Sequence, residues 1–275
     1  VKEEIKFPNV AYASKVGDDI GYIYLTQFME NASLDVKNAF LSLKEEGIKS
    51  LILDLRGNGG GLLHEAVNIV NLFVDKGELI VSTKGKLSDK NQFYYTQNEV
   101  LDANIPLVVL VDGFSASASE IVAGAIQDLD RGVVIGRRTF GKGLVQNVLP
   151  LSYNTNLKVT VSKYYIPSGR CIQKVDYSDR DSNGLSKSKI DSNAVAFKTK
   201  NGRTVYDYGG VEPDVVIKPE TYSTILLAML EKRIIFNYAN EFKFNNNKIP
   251  PVENFVFTDQ MYEDFKLSCE SKYRI

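Results

Sequence analysis

Three serines alternate in the stretch VDGFSASASEIVAGAIQDL, residues 111–129, at Ser115, Ser117 and Ser119. They follow a short apolar run and lead into a pattern that sets Ile121, Val122, Ala125, Ile126 and Leu129 on one face, as in a helix packed on a sheet. A serine at such a junction has two uses. With Glu120, Ser117 completes an S-x-x-E capping box, which requires no chemistry. The same place also sets a hydroxyl beside free helix N–H groups and a partial positive charge, the setting of a nucleophile whose intermediate is an oxyanion. The chain has one histidine, His64, and no aspartate-bearing motif singles it out as a base. It reads as a surface or boundary residue.

Two further segments carry residue types suited to a site. In DLRGNGGGLL, residues 54–63, Gly57, Gly59, Gly60 and Gly61 stand between an apolar strand and a helix. One or two glycines suffice for a turn, so four point to a backbone that closely approaches another group. A dinucleotide fingerprint is excluded, because Leu62 occupies its last glycine position. In GRRTFGKGLVQ, residues 136–146, Gly136, Gly141 and Lys142 match a phosphate loop, but Gly143 replaces its hydroxyl residue and a strand pattern follows instead of a helix. What remains is a lysine between two glycines. It is either a solvated turn residue or, with a lowered pKa, a general base that needs no histidine.

The elements that must position these residues alternate. Strands are predicted at 19–28, 49–56, 106–112 and 132–136, the second and third as continuous apolar runs of the kind covered on both faces. Helices are predicted at 34–47, with Val36, Phe40 and Leu43 in register, and at 62–77. This order predicts an α/β core with largely parallel strands. Antiparallel strands follow within 144–151 and 157–167, then a polar, solvated insertion over 176–193. A hairpin is predicted around Asn201-Gly202. Residues 223–242 read as one long apolar helix, 243–251 as a linker and 258–269 as a short helix, with a boundary near 220.

Composition narrows the function classes. Over 275 residues the net charge is −1, with 44% hydrophobic and 24% charged residues, which gives no electrostatic footprint for nucleic acid or an anionic membrane. No apolar run reaches the roughly 18 residues of a membrane span. The N-terminal VKEEIKFPNV lacks a signal-peptide pattern, which leaves export open. Cys171 and Cys269 read as free thiols, a single disulfide being the alternative.

Taken together, GYIYLTQF, LILDLRGNGGGLL, VLVDGFSASASEIVAGAIQD, GRRTFGKGLVQ, YYIPSGRCIQ and GGVEPDVVI resemble the tail-specific, or carboxy-terminal processing, serine peptidases. The segments stand in the family's order over residues 19–217. The resemblance implies a ClpP/crotonase-like α/β core of ββα units with a β-hairpin extension, spanning residues 1–219. A C-terminal helical subdomain, 220–275, looks like a lineage-specific tail. It implies Ser117 as nucleophile, Lys142 as general base and Gln146 as the residue that orients the lysine. The backbone N–H groups of Gly60 and Ala118 would form the oxyanion hole. Gly59 stands where many members have proline.

By the same resemblance the partner is a protein or peptide substrate with an apolar C-terminal tail, no metal or organic cofactor is needed, and a homo-oligomer is open. A PDZ domain would precede the core and is not contained in these residues. The location implied is extracytoplasmic, a bacterial periplasm or cell envelope. The rival reading is a binding or scaffold module on the same fold, against which stands the presence of both Ser117 and Lys142. A nucleotide-dependent enzyme conflicts with Gly143.

Overall fold

The computed structural model describes residues 7–180, 186–188, 194–207, 209–219, 221–246, 248–251 and 254–273. It comprises two compact units, Val1–Lys218 and Pro219–Ile275. In the first, strands β1 (Val10–Val16) and β2 (Ile20–Leu25) form a hairpin and lead into helix α1 (Ala32–Glu45). Then come β3 (Ser50–Asp54), α2 (Leu63–Asn71), β4 (Leu79–Gly85), β5 (Gln92–Tyr95), β6 (Leu107–Val111), α3 (Ala118–Asp128) and β7 (Val133–Gly136). The hairpin β8 (Leu144–Pro150) and β9 (Asn156–Tyr165) follows. After it stand the short ladders β10 (Val175–Arg180) with β11 (Ser186–Ser188) and β12 (Ala196–Lys198) with β13 (Thr204–Tyr206), and β14 (Val215–Val216).

The main sheet has the order β1-β2-β3-β6-β7-β14 and is parallel except for its first pair. A second, antiparallel sheet, β5-β4-β9-β8, takes the strands that the parallel sheet leaves out. This is the mixed α/β arrangement of the resemblance. In α1, Val36, Phe40 and Leu43 are buried, one turn apart, as their spacing requires. The helices pack α1 on α2 and α2 on α3, sharing one core with Ile23, Leu51, Leu53, Val109 and Val134.

Four expectations need correction. In β3 and β6, Ile52, Val108 and Leu110 are only half-buried, so the apolar runs lie under a full cover on one face and a partial one on the other. Helix α2 stops at Asn71 instead of continuing to Gly77. The Asn71 side chain accepts the N–H groups of Gln97 (3.1 Å) and Asn98 (2.8 Å) and donates to the Asn98 carbonyl (2.8 Å), which docks a later segment where the helix would have run on. The long helix over 223–242 is two helices, α4 (Thr224–Glu231) and α5 (Ile234–Asn245), broken at Arg233 with φ 54°. No glycine or proline marks that break. The short terminal helix extends further, as α6 (Asp259–Tyr273). Of the insertion at 176–193, residues 181–185 and 189–193 lie outside the described residues.

The base of α3 is tied to the β12–β13 hairpin by buried charge. Arg170, 1% exposed, donates from Nη2 to Gln127 Oε1 (2.5 Å) and Asp128 Oδ1 (2.8 Å), and from Nη1 to the Tyr206 carbonyl (3.2 Å). Asp128 Oδ2 accepts the Ser168 N–H (3.0 Å). Burial pushes the Asp128 carboxyl up, opposed by the Arg170 charge. Arg203 extends the network to Asp130 (2.6 Å) and Asp214 (2.7 Å). Arg170→Met strands a buried carboxylate and lowers stability by about 3–5 kcal/mol. Equilibrium urea unfolding measures it, and adding Asp128→Asn recovers part of the loss.

Candidate active site

The turn after β6 is organised by Asp112, whose Oδ1 accepts the N–H groups of Gly57 (3.0 Å), Phe114 (2.9 Å) and Ser115 (3.1 Å). Beyond it the three serines part company. Ser115 Oγ, fully buried, donates to the Leu55 carbonyl (2.8 Å) and accepts the Asp112 N–H (2.9 Å). Ser119 Oγ, also fully buried, donates to the Asn58 carbonyl (2.9 Å), which the Ala116 N–H shares (3.0 Å). The outer serines therefore bind the segment to the glycine turn. Ser117 stands between them, half-buried, with φ 58° and ψ −113°. A non-glycine residue in that region costs on the order of 1–3 kcal/mol and is held there only by its surroundings.

What holds it is Glu120, whose side chain is fully buried at the first turn of α3. Its Oε2 accepts the N–H groups of Ser117 (2.8 Å) and Lys142 (2.8 Å). Its Oε1 accepts the Thr139 hydroxyl (2.6 Å) and the Gly141 N–H (2.7 Å). Burial pushes this carboxyl up, and the four donors pull against it. The capping box is present, but it is half of the arrangement. The same carboxylate fastens the lysine loop to the serine. Sequence spacing offered Glu120 only as a cap, and nothing local marks a partner 22 residues away.

The glycine turn lies against Ser117. A Cβ on Gly60 would come within 2.5 Å of the Ala116 carbonyl and 2.8 Å of the Ala118 nitrogen, and its φ of 94° independently selects glycine. A Cβ on Gly61 would meet the Phe28 carbonyl at 2.3 Å. Of the four glycines, Gly60 and Gly61 make the close approach, and it is to the chain's own backbone; a Cβ on Gly59 would meet nothing within 4 Å. Ala118 opens α3, so its N–H has no partner within the helix. The Gly60 N–H donates to Asn58 Oδ1 (2.8 Å), and Asn58 is itself buried, donating to the Leu25 carbonyl (2.7 Å).

Lys142 is exposed at the foot of β8 and lines a cleft of about 1050 Å³ with Phe140, Gln146, Thr160, Lys163 and Tyr177. Among the described residues no hydrogen bond joins its amine to the Ser117 hydroxyl. Gln146 follows an irregularity in the β8–β9 register and donates to Thr160 Oγ1 (3.4 Å), not to Lys142. His64 is exposed and lies 3.5 Å from Glu65 Oε1, away from the serine's hydrogen bonds. Cys171 and Cys269 are not joined to each other by a disulfide. Among the described residues no group of three His, Cys, Asp or Glu could hold a metal ion, and no helix is long and apolar enough to cross a membrane.

A strained serine at a helix start, a glycine turn against it and a lysine loop fastened to it thus stand together at the start of α3. Residues 19–179 match the model of Peptidase family S41, and the chain belongs to that family. Residues 225–273, set apart above as a lineage-specific tail, match a model described as "Probable PDZ-protease, C-terminal helical domain". The chain is 43% identical over 180 residues to a carboxy-terminal-processing protease of Bartonella bacilliformis, covering 64% of this chain and 41% of that protein. It is 40% identical over 159 residues to a chloroplastic C-terminal processing peptidase of Tetradesmus obliquus, covering 58% and 34%. It therefore spans less than half the length of these relatives. Among solved structures it is similar to a photosystem II D1 C-terminal processing protease, with a TM-score of 0.56 and 34% identity over 80% of this chain and 48% of that one. A lipoprotein from Streptococcus agalactiae shares the fold, at a TM-score of 0.51 and 14% identity over 80% and 68%.

Glu120→Gln replaces two acceptor sites by an amide N–H₂ that faces donors. It lowers stability by about 1–3 kcal/mol in urea unfolding. Ser119→Ala, which removes one neutral hydrogen bond, costs about 1 kcal/mol. A smaller loss for the glutamine than for the alanine would contradict the four-donor account.

Proposed function

We propose that this chain is the catalytic part of a serine endopeptidase working through a Ser117–Lys142 dyad. The observation that carries the reading is the shared oxygen: Glu120 Oε2 holds the backbone N–H of both residues at 2.8 Å. That bond brings the strained serine and the glycine-flanked lysine to one corner of the molecule. Rotation of the exposed Lys142 side chain then takes its neutral amine to the hydroxyl. The amine accepts the Ser117 proton while Oγ attacks the peptide carbonyl, and the tetrahedral oxyanion meets the Ala118 N–H. The Gly60 N–H is the second donor once the Gly59–Gly60 peptide turns from Asn58. The protonated lysine gives its proton to the leaving amine, and water releases the acyl group from Ser117. Gln146, bonded to Thr160 in this arrangement, orients the lysine from β8 once its side chain turns from that partner.

Residues 1–219 carry this chemistry and residues 220–275 form the helical subdomain. The substrate class is a protein with an apolar C-terminal tail, and the location is extracytoplasmic, both on the likeness to the processing proteases. The scaffold reading draws on one observation: Lys142 is exposed, and among the described residues no hydrogen bond joins its amine to the Ser117 hydroxyl.

Ser117→Ala and Lys142→Ala each lower peptidase kcat by roughly 10³-fold or more, measured on a peptide library. Wild-type turnover by either variant removes the dyad. A serine-reactive fluorophosphonate separates the two readings. Labelling of the wild type at Ser117, mapped by mass spectrometry and lost in Lys142→Ala, supports the enzyme. Hydrolysis without such labelling would place the nucleophile elsewhere, and neither labelling nor hydrolysis would leave the scaffold.

A further inference from the structure

Three successive peptide N–H groups surround the proposed base, and each meets a buried side-chain oxygen. Glu120 takes those of Gly141 and Lys142. The third, from Gly143, donates to Gln173 Oε1 at 2.7 Å. Gln173 is 6% exposed, and its Nε2 donates to the Val175 carbonyl (2.8 Å), which fixes which end of the amide faces Gly143. The Gly143 carbonyl accepts the Tyr164 N–H (2.8 Å), so the glycine is held through the peptide on each side of it.

The segment bearing Gln173 is itself immobilised. The Lys174 N–H donates to the Gly141 carbonyl (3.0 Å), and the Ile172 carbonyl accepts the Gly210 N–H (2.7 Å). Ile172 is 1% exposed, and Arg170, two residues earlier, is locked to Asp128. Contact is close enough to dictate residue type. A Cβ on Gly143 would lie 2.6 Å from the Gln173 nitrogen, and one on Gly141 would lie 2.5 Å from Lys174 Cβ. The glycine that ruled out a phosphate loop is therefore required by this strap.

We propose that Gln173 is a positioning residue for Lys142: its side-chain carbonyl fixes the Gly143 peptide and with it the direction in which the lysine leaves the backbone. The inference rests on Lys142 being the base. Glu120 sets the loop on its serine side and Gln173 sets it on its strand side. Without the second hold, the lysine stem swings about the Lys142–Gly143 link and its amine loses its line to Ser117. A misplacement of this size costs rate rather than substrate affinity.

The test uses the whole chain in three variants, with kcat, KM and pH profile on one peptide substrate and the urea midpoint for each. Gln173→Met keeps the length and removes the acceptor. It should lower kcat roughly tenfold to a hundredfold with KM within about twofold. Gln173→Glu, compared with wild type at the same mildly acid pH, restores a carbonyl towards Gly143 and an O–H towards Val175 while its carboxyl is neutral. It should recover most of the lost rate, then fall below wild type as the pH rises and that carboxyl ionises.

Ser168→Ala, placed on the same segment outside this contact, should leave kcat unchanged. Gln173→Met with wild-type kcat, while Lys142→Ala is inactive, overturns the positioning role and leaves the dyad standing. Wild-type rates in Lys142→Ala overturn the dyad itself. Equal losses of kcat in Gln173→Met and Gln173→Glu at every pH, tracking a lowered urea midpoint, assign Gln173 to structure alone and also overturn the proposal.

Discussion

Glu120 carries a carboxylate into a fully buried place, and only a concentrated set of donors makes that tolerable. Removing an ion of this size from water costs several kcal/mol even after the protein relaxes. Four hydrogen bonds to the charged group, each worth about 1.5–3 kcal/mol, are of the same order and can offset it. Those donors come from Ser117, Thr139, Gly141 and Lys142, two separate stretches of chain. The serine stretch supplies one of the four donors and residues 139–142 the other three, so neither alone satisfies the carboxylate. The energetics thus couple the serine elbow to the lysine loop, and Thr139 passes the coupling on, since its hydroxyl also accepts the Val211 N–H at 2.7 Å. The positive φ of Ser117 is sustained by the same bonds, because relaxing it would withdraw its N–H from Glu120.

Close packing of backbone on neighbouring chain is the second constraint, and it accounts for two glycines in each glycine-rich segment. Gly60 and Gly61 lie against the serine segment and Phe28, while Gly141 and Gly143 lie against residues 172–174. In each case an added Cβ would come within 2.3–2.6 Å of another atom. Such glycines resemble nucleotide-binding turns in sequence because both need bare backbone near another group. The difference is what fills the space. Here it is the chain's own peptide groups, so the resemblance to a phosphate loop ends at Gly143.

Much of the fold was legible because the parallel strands and helices α1 and α3 carry their burial pattern within a few turns of sequence. Val36, Phe40 and Leu43 show their face directly, and Ser117 with Glu120 shows a helix start. What was illegible depended on distant partners. Strands β4 and β5, absent from the sequence reading, gain their identity from pairing with each other and with β9. Helix α2 ends early because Asn71 binds Gln97 and Asn98, and no stop signal lies in the helix itself. The break at Arg233 interrupts an apolar run that periodicity alone would continue. In the site, Ser117, Lys142 and the glycine turn stood out by type. Glu120 looked like an ordinary cap and Gln173 only like the last residue of the segment YYIPSGRCIQ, since each matters through bonds that cross 22 and 30 residues.

The division between fixed and free parts bears on how such a site would work. Both backbones are held by buried side chains, whose release would forfeit several hydrogen bonds at once. The Lys142 amine, by contrast, sits on an exposed stem, and the Gly60 N–H is turned to Asn58 by a single bond. Under the proposed mechanism, passing from this arrangement to a reactive one requires side-chain rotations and one peptide turn between two glycines. Neither asks the frame to move. A neutral hydrogen bond contributes about 1 kcal/mol net, so a bound peptide that supplies even modest contacts can shift that balance. The geometry therefore separates the costly task of assembling the site from the inexpensive one of aligning it, and the second is where a substrate can act.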